Sequence, residues 1–301
     1  MRILTAADVR SALPMPACVA AARMALAAAA DVPARPVLKL PRGDVLFMPG
    51  SLSGVAVGVK VVGVFPGNPA RGLPGTLGAV LLVDEATGVP LALLDGTSLT
   101  AIRTGAATGV AADRLARPDA QVLAILGAGG IAADQVAGVR AVRPIREVRV
   151  WNRTRARAEA LAASLAGVAA TVHATAESAV AGADIVACCT GATAPILYGA
   201  WLAPGAHISA VGGYTADMME VDAACVSRAA LVASDQVAEA AGTGDLLGRI
   251  SPDRILPIAA APPRPAGSDL TLFKGVGTAA LDLACARLAL DSGLGIEVDL
   301  G

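Results

Sequence analysis

The chain has 301 residues and a formal net charge of −1, with 55% hydrophobic but only 2% aromatic side chains. Near-neutral charge without basic runs or stacking platforms argues against nucleic acid as a partner. No apolar run reaches the ~18 residues needed to cross a bilayer, so no membrane span is expected, and the length allows two domains with separate cores. The N-terminal residues lack a basic-then-apolar secretory pattern. The five cysteines (Cys18, Cys188, Cys189, Cys225, Cys285) are odd in number, scattered and mostly in apolar surroundings. They read as buried thiols of a reducing, cytoplasmic compartment. His173 and His207 have no second ligand nearby in sequence, so no metal site is expected.

Residues 1–117 mix short strands, turns and helices. V-L-F-M-P-G and V-A-V-G-V-K-V-V-G-V-F read as two strands, and A-V-L-L-V-D-E-A-T-G-V-P-L-A-L-L-D as a hairpin turned at Thr87-Gly88. A helix with a Ser or Thr cap is expected from Ser98 to Leu115, stopping before Arg117-Pro118. Residues 118–275 alternate strand and helix: strands at 121–126, 147–151, 169–173, 184–189, 206–211 and 230–233, helices at 130–142, 154–166 and 176–181. Such alternation implies a parallel sheet with helices on both faces. After the turn Lys274-Gly275-Val276-Gly277, residues 276–301 open with a helix that returns to the first domain. The expected fold is α/β, with a Rossmann dinucleotide-binding domain (118–275) inserted into an α+β substrate and dimerisation domain (1–117 plus 276–301).

The run V-L-A-I-L-G-A-G-G-I-A-A-D-Q, residues 122–135, supplies the strand, tight turn and helix of a dinucleotide site. Gly127, Gly129 and Ala132 fit G-x-G-x-x-G/A: a tight turn, close backbone approach to a pyrophosphate, and close helix–strand packing. The helix start aims unpaired N–H groups at the phosphates. The next strand, E-V-R-V-W, ends in Asn152-Arg153-Thr154 rather than a carboxylate, with Arg155 and Arg157 following. Guanidinium groups without an acid favour a 2′-phosphate, so NADPH is the expected cofactor and NADH the second candidate.

K-V-V-G-V-F-P-G-N-P-A-R-G-L-P, L-D-G-T-S-L-T-A-I-R-T-G-A-A, G-A-G-G-I-A, V-W-N-R-T and F-K-G-V-G-T-A-A-L-D, in this order, resemble the ornithine cyclodeaminase/μ-crystallin family across nearly the whole chain. The resemblance implies a substrate-carboxylate clamp at Arg35, Lys60 and Arg103. A small amino or imino acid offers little apolar area, so charge-assisted bonds must supply its affinity. It also implies dinucleotide contacts at Arg103, Thr104, Gly127, Ala128, Gly129, Gly130, Ile131, Asn152, Arg153, Thr154, Arg157, Cys189, Thr190, Val211, Gly212, Gly275 and Val276. Asp95 reads as a turn residue and Asp282 as a supporting partner of the clamp. Capping of the next helix accounts for Glu220 and Asp222 as well as catalysis does.

Two departures bear on the reaction. Cyclodeaminases carry an acidic residue before the M-P pair and an aspartate after the G-G ending the fifth strand of the nucleotide domain; here Leu46-Phe47 precede Met48-Pro49, and Tyr214 follows Gly212-Gly213. Loss of both acids disfavours cyclodeamination. The stretch V-G-G-Y-T-A-D-M-M-E-V-D resembles family members that reduce cyclic ketimines, with Ala216 where proline is usual. The expected activity is reduction of Δ1-pyrroline-2-carboxylate, and of its six-membered homologue Δ1-piperideine-2-carboxylate, to L-proline or L-pipecolate, a step of proline metabolism. Lys60 is the first candidate for a catalytic group. Tyr214 is a candidate proton relay or an aromatic wall. An alanine-dehydrogenase-like enzyme, an ornithine cyclodeaminase and a non-catalytic NADPH-binding protein are the alternatives. A Val-rich mixed sheet with no obvious covering helix points to a homodimer.

Overall fold

The computed structural model describes residues 1–267 and 269–299. The chain opens with β1 (Arg2–Leu4), α1 (Ala6–Ala12), α2 (Met15–Ala27), β2 (Ala30–Asp31), β3 (Val37–Leu40), β4 (Gly43–Leu52), β5 (Ala56–Val64), β6 (Thr76–Val83), β7 (Pro90–Asp95) and α3 (Gly96–Leu115). It continues through β8 (Val122–Leu126), α4 (Ala132–Arg140), β9 (Glu147–Trp151), α5 (Arg155–Ser164), β10 (Ala169–Val172), α6 (Ala176–Val180), β11 (Ile185–Cys188), β12 (Thr193–Leu197) and β13 (His207–Ala210). β14 (Met219–Val221), α7 (Ala223–Ser227), β15 (Ala229–Ser234), α8 (Val237–Ala240), β16 (Ile255–Pro257), β17 (Leu270–Lys274), α9 (Ala279–Asp291) and β18 (Ile296–Glu297) complete it. Two compact units result, residues 1–103 with 278–301, and residues 104–277.

In the first unit the sheet order is β18-β1-β7-β6-β5-β4-β2, with β3 also on β4. Pairing is antiparallel except between β1 and β7. Period-two alternation sorts the side chains. On β4, Leu46, Met48 and Leu52 are buried while Phe47 between them is exposed. Helix α9 covers the buried face at two glycines: a Cβ at Gly50 would stand 2.9 Å from the Ala279 Cβ, and one at Gly58 3.1 Å from a Leu283 methyl. Helix α3 starts two residues before the expected Ser98, because the Asp95 carboxylate accepts the Ser98 amide at 2.8 Å. Asp95 is therefore the cap of this helix, not merely a turn residue.

In the second unit eight strands are ordered β10-β9-β8-β11-β13-β17-β15-β16 among the described residues, every pair parallel. Strands buried on both faces explain the continuous apolar runs V-L-A-I-L and I-V-A-C. Sequence reading misses β17, which lies in the sheet between β13 and β15. L-T-L-F-K is short, and its place in space is far from its place in the chain. The division between the units falls inside α3, between Arg103 and Thr104, earlier than the expected boundary at 117. The later half of α3 lies so close to α4 that a Cβ at Gly138 would fall 1.9 Å from the Gly105 carbonyl oxygen. All five cysteines are buried and free, and no described helix is long and apolar enough to cross a membrane.

Candidate active site

The first unit holds a buried cluster of charge. Lys60, on the helix-covered face of β5, is 1% exposed. Its Nζ stands 2.8 Å from both carboxylate oxygens of Asp282 on α9. Arg103 Nε, from α3, donates to Asp282 Oδ1 at 3.0 Å. The Lys60 pKa is lowered to about 8: burial is the largest cause, the Arg103 guanidinium lowers it too, Asp282 acts in the opposite direction, and Arg35 adds a smaller lowering effect. Two cations, Lys60 and Arg103, thus share one carboxylate in a place largely closed to water. An uncompensated positive charge is costly to bury, so the cluster is complementary to one more anion. Its walls are apolar: Met48 is the register partner of Lys60, and Leu46 pairs with Val62 on the same buried side.

The second unit carries a cradle at the carboxyl ends of its strands. Gly127 has a φ of +109°, which disfavours any side chain. An added Cβ there would also lie 2.6 Å from the Thr190 methyl. At Gly129 and Gly130 an added Cβ would meet nothing within 4 Å, so the backbone there borders open space. Helix α4 begins without a side-chain cap, which leaves its first N–H groups to a ligand. Asn152 fastens the turn: its Oδ1 accepts the Ala128 amide at 3.0 Å, and its Nδ2 donates to the Thr154 carbonyl at 2.9 Å. These features fit a dinucleotide pyrophosphate. Beyond Asn152, Arg153 and Arg157 are exposed, and Arg155 pairs with Glu159 at 2.8 Å.

A model of the ornithine cyclodeaminase/mu-crystallin family matches residues 1–295. The chain belongs to this family. A Δ1-pyrroline-2-carboxylate reductase of Paracoccus denitrificans is 36% identical over 260 residues, covering 82% of this chain and 82% of that protein. Among solved structures, the Thermococcus litoralis Δ1-pyrroline-2-carboxylate reductase in complex with NADH and L-proline superposes with a TM-score of 0.95 at 32% identity, over 99% of this chain and 100% of that one. An archaeal alanine dehydrogenase dimer with bound NAD gives a TM-score of 0.92 at 28% identity, over 100% and 99%.

Of the residues singled out in sequence, Lys60 and Arg103 meet on one carboxylate, with Arg35 near enough to act on Lys60. Gly127, Ala128, Gly129, Gly130, Ile131 and Asn152 form the turn and helix start of the cradle. Thr190 and Gly212 follow the neighbouring strands β11 and β13, and Gly275 and Val276 follow β17. Tyr214 is half-buried and packs on the apolar core of the second unit. The capping account holds for Asp222, which accepts the Cys225 amide at 2.9 Å at the start of α7, but not for Glu220. Glu220 is fully buried on β14 and reaches instead to Thr190 and Gly212. Its signal in sequence was only an acid in an apolar context, M-M-E-V.

Proposed function

We propose that the protein reduces a cyclic ketimine carboxylate, Δ1-pyrroline-2-carboxylate and its six-membered homologue, to the corresponding cyclic L-amino acid, with NADPH preferred over NADH. The observation that carries this reading is the buried excess of positive charge at Lys60 and Arg103 around Asp282. A substrate carboxylate supplies the missing anion. Arg103 and Arg35 grip it, and Lys60 completes the balance. Held this way, a small planar ring has few orientations left, which is the entropic part of the catalysis. Reduction of the C=N bond adds one hydride and one proton. A bound nicotinamide dinucleotide supplies the hydride, and the cradle at Gly127–Ile131, with Thr104, Asn152, Thr154, Cys189, Thr190, Val211, Gly212, Gly275 and Val276, is the part of the chain that holds it. The proton resides on Lys60 Nζ, whose pKa of about 8 keeps it charged yet able to release a proton near neutrality.

Leu46 supports a substrate with one nitrogen. It is 2% exposed, on the same face of β4 as Met48, and offers no carboxylate to a second amine. The absence of an acid after β9 and the exposed Arg153 and Arg157 support NADPH. Tyr214, packed on the core, serves as a wall rather than as an acid. We further propose a homodimer formed through the uncovered sheet face of the first unit, where Phe47, Val61 and Leu77 are each more than a third exposed. The deciding assay follows reduced-dinucleotide consumption with cyclic imino acids, with pyruvate plus ammonia, and with ornithine. Turnover of the cyclic imines alone supports the proposal. Dependence on pyruvate plus ammonia, or ammonia release from ornithine, replaces it.

A further inference from the structure

Glu220 is fully buried, and its carboxylate is saturated by donors from two different loops. Oε1 accepts the Thr190 amide at 2.6 Å and the Thr190 hydroxyl at 2.9 Å. Oε2 accepts the Gly212 amide at 2.8 Å. Thr190 follows β11 and Gly212 follows β13, and these strands are adjacent and parallel. The space is full: a Cβ on Gly212 would lie 2.0 Å from the Thr190 carbonyl oxygen and 2.7 Å from Glu220 Oε1. Glu220 is itself held. Asp245 Oδ1 accepts the Glu220 and Val221 amides at 2.6 and 3.0 Å, and Asp245 Oδ2 accepts the fully buried Lys274 ammonium at 2.8 Å. Lys274 ends β17, and the following Gly275 amide donates to the Ala210 carbonyl of β13 at 3.0 Å. One network of two carboxylates and an ammonium thus ties together the carboxyl ends of β11, β13 and β17.

We infer that Glu220 is a positioning residue for the dinucleotide: it pre-forms the loops at Thr190 and Gly212 so that binding does not have to order them. The inference rests on the dinucleotide reading of this unit and adds a residue outside the glycine motif. Burying a carboxylate is costly, and burial pushes the Glu220 pKa up. Only an acceptor with two oxygens satisfies three donors in two loops at once. A glutamine keeps the reach but turns an NH2 group toward one set of N–H donors. An aspartate keeps the charge but loses a methylene of reach. The amide and hydroxyl of Thr190 and the Gly212 amide are already used by Glu220, so these loops contribute shape rather than those N–H groups to the ligand.

The test compares the full-length wild type with Glu220→Gln and Glu220→Asp. NADPH binding is measured by fluorescence without substrate, and imine KM and kcat at saturating dinucleotide. Glu220→Gln is expected to weaken NADPH binding by at least ~10-fold, Glu220→Asp by less, with imine KM changed by under ~2-fold. Unchanged NADPH affinity in Glu220→Gln, or equal losses for both ligands, overturns the inference. Hydrogen exchange on the wild type serves if the variants fail to fold: residues 188–193 and 211–214 must be protected before NADPH is added, and protection acquired only with NADPH overturns it. Dinucleotide binding is read without imine, so failure of the imine proposal leaves this result standing, and a wild type that binds no dinucleotide refutes the site reading instead.

Discussion

The Lys60 ammonium lies 2.8 Å from the Asp282 carboxylate, and both side chains are only 1% exposed. Arg103 shares the same acid at 3.0 Å. Asp282 is therefore the counter-charge that makes a buried cationic pocket tolerable, and it leaves that pocket one anion short.

Asp282→Asn removes the buried counter-charge while keeping the shape. Breaking a buried ion pair from one side costs ~3–5 kcal/mol, so the unliganded variant is expected to lose stability on that order in denaturant unfolding. A carboxylate ligand is expected to restore more stability to this variant than to the wild type. No loss of stability would show that the pair is solvent-screened.

Lys60 is expected to set an alkaline limit on anion binding. Its folded pKa of about 8 lies below the ordinary value of 10.5. The ammonium is thus present below that pH and lost as pH rises through it. Affinity for pyrrole-2-carboxylate, whose ring nitrogen does not titrate in this range, is expected to fall above about pH 8 in the wild type. Lys60→Arg, which stays charged, is expected to lack that fall. For the unliganded protein the sign reverses: the unfolded chain binds the extra proton between pH 8 and 10.5, so stability attributable to residue 60 rises with pH in that window. A pH-independent wild-type affinity contradicts the assignment.

Much of this was legible beforehand, for identifiable reasons. The glycine turn at 127–130 and the strands at 122–126 and 147–151 are set by local sequence: apolar runs, a required positive φ at Gly127, and a helix start. Lys60 stood out as a cation in a Val-rich strand. Asp282 was visible only as a supporting residue, because its partners lie far away in sequence, 222 and 179 positions off. The full role of Glu220 was hidden for the same reason. The donors it satisfies belong to loops brought side by side by the β11–β13 pairing, and β17, which completes that network, is a five-residue strand with little local signature.

The proposed preference for NADPH rests on the segment after β9. A double Arg153→Ala/Arg157→Ala variant is expected to raise the KM for NADPH by at least ~10-fold, through loss of charge-assisted phosphate bonds, and to change that for NADH by under ~2-fold. Equal effects on both dinucleotides would place these guanidinium groups in solvent without a 2′-phosphate role.

The exposed apolar face of β4, β5 and β6 is the proposed dimer surface. Phe47 and Val61 are register partners across β4 and β5, with exposures of 38% and 36%. A stable interface covers ~800 Å² per partner, and a charge at its centre is costly. Light scattering on Phe47→Asp is expected to show a monomer where the wild type is a dimer. A wild type that is monomeric, or a variant dimer as tight as the wild type, removes this surface from the account.

The most direct measurement compares initial rates of NADPH oxidation with Δ1-pyrroline-2-carboxylate and with Δ1-pyrroline, the same ring without its carboxylate. Loss of two or more charge-assisted bonds in a buried site is expected to lower kcat/KM by at least ~100-fold for the decarboxylated ring. Lys60→Ala should narrow that gap, because both rings lose the proton source but only the carboxylated one also loses a grip on its anion. Equal rates for the two rings, or a gap that Lys60→Ala leaves unchanged, would contradict a cationic grip on the substrate carboxylate.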